Sequence, residues 1–198
     1  EIADGDWSSD VCSSDLLFLV IALYFVQIVS LGTGSFFTRI IWLGLIAGVT
    51  GDILLLSPKR FLPGLTAFLL GHIFYIAAFA VEPFTLPLYI ALAPFALTLP
   101  FGVYLLANLE ASARKRYAGP VILYMITITV MFDTALNFDL SIDPGLPFFT
   151  AGALLFCISD GVLAWNRFHR PFPAAQGVIL STYYSAQLLI GFRAMCLA

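Results

Sequence analysis

An all-α bundle of transmembrane helices is the fold class this sequence predicts, and three observations carry it. Of 198 residues, 61% are hydrophobic and only 11% are charged, and the mean hydropathy is +0.98, well above the apolar share of a soluble domain. The apolar residues gather into continuous runs rather than alternating. Such runs suit spanning helices of roughly 17 to 25 residues and not the roughly ten-residue tilted strands of a barrel. No polar stretch between them is long enough to fold by itself, so the membrane region reads as a single domain.

Seven runs follow in order: Leu16 to Leu31, Ile40 to Leu56, Leu62 to Val81, Leu86 to Ala107, Tyr117 to Leu136, Pro147 to Trp165 and Ala174 to Leu197. The first is marginal in length. The residues leading into it, "GDWSSDVCSSDL", resemble the in-frame translation of a sequencing-library adapter. Residues 1–15 are therefore set aside as foreign to the fold and expected to be disordered, with residues 16–198 forming the membrane domain. Five of the twelve acidic residues (Glu1, Asp4, Asp6, Asp10, Asp15) lie in that head. Without them nine basic residues stand against seven acidic ones, so the formal charge of −3 says nothing about partners. Cys157 and Cys196, left when Cys12 is set aside, show neither a pairing pattern nor a metal-ligand spacing.

Lysine and arginine fall on alternate loops. Lys59 and Arg60 follow the second run, Arg114, Lys115 and Arg116 the fourth, and Arg167 and Arg170 the sixth, whereas the loops around Glu82 and around Asp139 and Asp143 have none. The positive-inside rule puts the basic loops in the cytoplasm and the C-terminus outside. Arg39 and Arg193 run against the bias. An adapter-headed sequence also suggests an environmental bacterial source, and hence an inner membrane.

With this orientation the second and sixth helices both run inward, and each carries an aspartate about one turn before its cytoplasmic end. The local sequences are "GDILLLSPKRF" and "SDGVLAWNRF", each reading small residue, Asp, apolar turn, basic residue, Phe. A parallel duplication would account for the match, and both carboxyls are expected at one depth. An ionisable residue inside a membrane helix costs at least about 2.5 kcal/mol on the most lenient scale, so Asp52 and Asp160 should face the bundle interior and are functional candidates by default. Their structural alternative is to hold Arg60, Arg167 or a neighbouring helix.

Further polar groups lie nearby. "GHIFY" puts His72 and Tyr75 on one helical face, "TYYSAQLLI" puts Tyr183 and Tyr184 within a turn of Gln187, and Tyr124 enters from the fifth helix. Each alone would pass as a packing or interface residue. Together with the aspartates they describe a polar cavity in the cytoplasmic half.

Four co-linear strings, "GDILLL", "FLLGHIFYIAAF", "LLFCISDGVLAWNRF" and "STYYSAQLLI", resemble the recurring motifs of the YhhN-like family, which includes the lysoplasmalogenases. The likeness runs from about Ile40 to the C-terminus. It implies an eight-helix membrane enzyme that hydrolyses the vinyl ether bond of a lysoplasmalogen, releasing a fatty aldehyde and a glycerophosphoethanolamine or glycerophosphocholine. On that likeness Asp52 and Asp160 are the catalytic pair, accompanied by His72, Tyr75, Tyr183, Tyr184 and Gln187. The family's first helix, and a Lys-Pro near the start of its second, are missing behind the adapter-like head, which leaves seven helices here.

The chemistry suits two carboxyls. Vinyl ether hydrolysis begins with protonation of an alkene carbon and passes through an oxocarbenium ion, so one group must deliver a proton while the other stays ionised. A low-dielectric site favours the neutral acid, and a second carboxylate nearby does the same. The division of labour resembles that of glycosidases in charge, not in fold. Lys59, Arg60 and Arg167 at the cytoplasmic rim would hold the anionic head of the lysophospholipid, with Tyr124 lining the site. No cofactor, metal or nucleic acid is called for. The alternative is a proton- or cation-coupled transporter using the same Asp and His groups. A retinal receptor is excluded because Lys59 and Lys115 are both in loops.

Overall fold

The computed structural model describes residues 35–197. The adapter-like head and the expected first helix, Leu16 to Leu31, lie outside the described residues. Those described fold into α-helices joined by short turns, without a strand.

Helix α1 (Phe36–Leu55) starts at Ser35, whose side chain accepts from the backbone N–H of Thr38 as an N-cap. A single 3-10 turn, Pro58–Arg60, passes the chain into α2 (Phe61–Phe79). The next apolar run is broken in two, α3 (Leu88–Leu92) and α4 (Phe95–Ala107), at Pro94, which has no N–H to give the helical ladder. Helix α5 (Ala111–Ile142) has 32 residues and is much longer than its apolar stretch from Tyr117 to Leu136. At about 1.5 Å per residue it outreaches the roughly 30 Å hydrocarbon core, so its basic first turns and acidic last turns stand beyond the apolar layer. Helices α6 (Phe148–Phe168) and α7 (Ala175–Cys196) complete the bundle.

Five stretches are long and apolar enough to cross a membrane: α1, α2, α3 with α4, α5, and α6. Helix α7 has the length, 22 residues, but Ser181, Thr182, Tyr183, Tyr184, Gln187 and Arg193 lower its hydropathy. The seven expected spans are therefore five such stretches, a more polar α7, and one lying outside the described residues.

Packing holds the two ends together differently. At the end carrying Lys59, Arg60, Arg114 to Arg116, Arg167 and Arg170, the rings of Phe61, Tyr117 and Phe168 meet with centroids 5.3 to 6.2 Å apart, joining α2, α5 and α6. At the acidic end Phe37, Phe79, Phe138 and Phe149 form a tighter group. Phe37 stacks on Phe138 at 5.0 Å, and Phe79 meets Phe149 at 5.0 Å. Small residues set the spacing between these clusters. Gly44, Gly48 and Gly51 of α1 face Tyr75, the Gln187 and Tyr183 pair, and Phe68 in turn, which brings the helices into close approach.

Polar side chains pin the acidic end. Asn137 accepts from the Thr85 N–H at 2.8 Å and donates to Pro83 O at 3.0 Å, satisfying backbone groups of the loop before α3. Asp139 accepts from both the N–H and the hydroxyl of Thr150 at 2.7 Å. Arg193, an exception to the charge bias, is buried and paired with Asp143 at 3.3 Å. Its counter-ion explains why a cation is tolerated there.

Phe149, wholly buried within the ring cluster, gives a direct test of this packing. Phe149→Ala should lower unfolding stability by about 3–5 kcal/mol, read as a fall in the denaturation midpoint of the detergent-solubilised protein.

Candidate active site

Asp52 lies one turn before the end of α1, as expected, but α6 runs on to Phe168 and leaves Asp160 more than two turns from its end. The expectation of equal distance from the helix ends does not hold, because the polar "WNRF" segment stays helical instead of starting a loop. The two carboxyls nevertheless line one cleft. It is a narrow cleft between α1, α2, α6 and α7, partly open to the exterior. Tyr183 and Tyr184 share the lining, and the remaining wall is mainly Leu55, Leu56, Phe68, Leu163, Ile179 and Leu180.

Each aspartate is held by a phenol from another helix. The Tyr183 hydroxyl donates to Asp52 Oδ2 at 3.0 Å, and the Tyr124 hydroxyl donates to Asp160 Oδ2 at 2.6 Å. Behind Tyr183 the network continues inward, where Gln187 Nε2 donates to the Tyr183 oxygen at 3.2 Å and Gln187 Oε1 accepts from the Tyr75 hydroxyl at 2.5 Å. Tyr75 and Gln187 are fully buried and do not line the cleft. They fix the position of Tyr183. Gly48 makes room for this arrangement, since a Cβ there would sit 2.5 Å from Gln187 Nε2 and 2.8 Å from Tyr183 Oη.

His72 stands behind Asp160. Its Nδ1 lies 2.7 Å from Phe68 O, and a carbonyl can only accept, so Nδ1 carries the proton. Its Nε2 is buried without a hydrogen-bond partner and lies 3.7 Å from Asp160 Oδ2. The imidazole and Asp160 can therefore hold one further proton between them. The rings of Tyr124 and Phe156 pack edge-on against the imidazole at 5.3 and 5.1 Å and leave it no other polar neighbour on those sides.

The structure thus gathers Asp52, Asp160, His72, Tyr75, Tyr124, Tyr183 and Gln187 into linked contacts, with Tyr184 beside Tyr183 at 5.1 Å between ring centroids. Lys59 is exposed on the turn between α1 and α2, at the same end but off the cleft wall. Arg167 faces a neighbouring cleft, its guanidinium over the Phe61 ring at 5.0 Å. Ser159, adjacent to Asp160, donates to Ile179 O at 3.1 Å and ties α6 to α7 beside the carboxyl. Asp133, buried on α5 with its Oδ1 unpartnered, was not singled out from the sequence, although "TITVMFDTAL" shows the same signal as Asp52: one carboxylate inside an apolar run. Among the described residues no three His, Cys, Asp or Glu side chains gather as a metal-ligand set.

The inward chain makes a testable claim about stability. Gln187→Leu strands the buried Tyr75 hydroxyl and takes a donor from that of Tyr183, and should cost about 1–3 kcal/mol, whereas adding Tyr75→Phe should restore part of that loss, because removing both partners is cheaper than removing one. A double-mutant cycle in chemical denaturation measures the coupling.

Comparison with known proteins follows the same residues. The YhhN family matches over residues 12–194. Lysoplasmalogenase TMEM86B of Homo sapiens is 37% identical over 161 residues, 80% of this chain and 65% of that protein. Its Mus musculus counterpart is 34% identical over 151 residues, 76% and 61% of the two chains. Lysoplasmalogenase TMEM86A of Homo sapiens is 29% identical over 175 residues, 78% and 65%. The chain spans slightly less than two thirds of the length of these relatives. No solved structure matches it. With the match running nearly end to end through both aspartate-bearing helices, the chain belongs to the YhhN family.

Proposed function

We propose that this membrane protein is a lysoplasmalogenase, hydrolysing the vinyl ether bond of an alkenyl glycerophosphoethanolamine or glycerophosphocholine. The observation that carries the reading is the cleft itself: a largely apolar wall of leucines with two carboxyls set into it. A long alkenyl chain needs the first and an acid-labile enol ether needs the second. Family membership, and relatives bearing that name at 34 to 37% identity, favour hydrolysis over the transporter alternative. We place the protein in a bacterial inner membrane with its basic end toward the cytoplasm.

Asp160 is the acid in this scheme and Asp52 the ionised partner. Asp160 has the unprotonated Nε2 of His72 3.7 Å away, so the two can share one proton, whereas Asp52 receives the Tyr183 hydroxyl. The proton goes to the second alkenyl carbon, and the ether oxygen's lone pair closes the C–O double bond of the oxocarbenium ion. The Asp52 carboxylate stabilises that cation and takes a proton from the water that adds to the first alkenyl carbon. The resulting hemiacetal then breaks its bond to the glycerol oxygen, which leaves with a proton as the alcohol while the chain departs as aldehyde. Water is the only co-reactant. Tyr124 and Tyr183 orient the carboxyls, Tyr75 and Gln187 hold Tyr183, and Tyr184 lines the chain's path. Lys59, on the turn below Asp52, draws the anionic head toward the basic end.

Incubating purified protein with a vinyl ether lysolipid and, separately, with its saturated alkyl counterpart should yield aldehyde from the first alone, measured by mass spectrometry. Asp52→Asn and Asp160→Asn should each lower the rate at least about 100-fold with the fold retained. The double variant should be little worse than either single one, because the pair acts as a unit. Tyr124→Phe, which removes the hydrogen bond that orients Asp160, should cost about tenfold. An Asp160→Asn protein with near-normal turnover would overturn the scheme.

A further inference from the structure

A second cleft opens at the basic end, between the turn joining α4 to α5 and the end of α6. Its walls carry Arg116, Arg167, His169, Asn108, Asn166 and Glu110, and it shares no lining residue with the aspartate cleft. Two features separate it from an ordinary basic rim.

The first is the state of the arginines. Neither Arg116 nor Arg167 is paired with a carboxylate: the ion pairs among the described residues are His72 with Asp160 and Arg193 with Asp143. The two guanidiniums lie on ring faces instead, Arg167 over Phe61 at 5.0 Å and Arg116 over Tyr117 at 5.5 Å. Those two rings pack edge to face against each other at 6.2 Å. Each cation therefore rests on one ring of a packed aromatic pair, and among the described residues neither guanidinium is given a hydrogen-bond acceptor. Arg167 Nε is buried and bonded to nothing. Stacking fixes a guanidinium without consuming its donors, which is the preorganised form in which arginine takes a phosphate in two-pronged fashion. By contrast Arg114, next to this pair, spends its donors on Ala107 O and Leu109 O at 2.9 Å, holding the turn.

The second feature is the start of α5. Glu110 at its N-cap supplies no side-chain hydrogen bond, and the first-turn residues Ser112 and Ala113 line the cleft. The positive end of a 32-residue helix therefore opens onto the same space as the arginines. Glu110 is the one carboxylate among the described lining residues, set against two arginines, and the balance favours an anion. His169 closes the other side, its ring 4.2 Å from that of Trp165 and its Nε2 3.4 Å from the Tyr104 hydroxyl.

We infer that this cleft binds a phosphate group, separately from the aspartate cleft. The apolar spans end at this level, and the phosphates of a bilayer's headgroup layer lie at that height. The occupant is then a phospholipid headgroup resting at the bundle's rim or a free phosphate of the same chemistry.

Native mass spectrometry of the full chain in detergent tests this, with phosphatidylglycerol and inorganic phosphate as separate probes. One saturable equivalent is expected. If phosphatidylglycerol saturates and millimolar phosphate does not displace it, the occupant is the lipid; if phosphate alone saturates, the occupant is the free anion. In either case R116Q and R167Q should each weaken binding about tenfold, the double variant should remove it, and K115Q, off the cleft, should leave it unchanged. Arg116 is exposed, so R116Q keeps the fold and decides the matter even where R167Q fails to accumulate. Absence of a saturable adduct with both probes, or a loss in K115Q equal to that in R116Q, would overturn the site. Binding is read directly, so the result is independent of whether vinyl ether lipid is cleaved.

Discussion

A carboxyl inside a membrane bundle must be given hydrogen-bond donors by neighbouring helices, and this requirement organises the centre of the molecule. Asp52 takes its donor from α7 and Asp160 from α5. Helices α5 and α6 are consecutive, whereas α1 and α7 stand at opposite ends of the described chain, so the network ties neighbouring and distant elements together. The close approach this needs explains the glycines of α1. With Gly48 in place, Tyr183 and Gln187 can lie against the helix that carries Asp52. The same demand explains why α7, among the described long helices, lacks a stretch as apolar as the five spans. It supplies the hydroxyl and amide that a wholly hydrophobic helix would lack, and α6 and the rest of the bundle shield them.

Much of the fold was legible because membrane helices must be apolar along their length. The centres of α1, α2, α5, α6 and α7 fall inside the predicted runs. What hydropathy could not locate were the places where helix and apolarity part company. Helix α5 continues through "ASARKR" at one end and "NFDLSI" at the other, because the backbone satisfies its own hydrogen bonds regardless of whether the side chains face lipid or water. Conversely α3 and α4 are apolar throughout and yet broken at Pro94, a covalent effect that hydropathy does not register.

The candidate site was legible as a set of residue types and not as a set of contacts. Asp52, Asp160, His72 and the tyrosines stood out because polar groups are rare in such a chain. Which phenol serves which carboxyl depends on the facing of helices more than thirty residues apart, and nothing local encodes it. For the same reason Asn137 drew no notice, Asp139 stood as a loop acid and Arg193 as an exception to the charge bias. Their value lies in holding Pro83 and Thr85, receiving Thr150 and pairing with Asp143, all of them partners on other elements.

The placement of the aspartate cleft bears on how a reaction between lipid and water could occur in such a bundle. Helix α1 packs extensively on α2 and α6 on α7, but α1 meets α7 over a much smaller surface, and the cleft lies along that weaker seam. A chain already dissolved in the bilayer can lie against Leu55, Leu56, Leu163 and Leu180 without first crossing water. The carboxyls sit at the inner end of the same cleft, with Leu55, Leu56, Leu163 and Leu180 between them and the basic end. Asp160 is 14% exposed and His72 behind it 2%, so the proton-bearing pair is screened while the face offered to the cleft stays open. An acid placed deeper would lack the water that captures the cation, and one placed at the surface would be levelled by solvent. The position observed, partly exposed yet walled by leucines, lies between those limits, as the proposed hydrolysis requires.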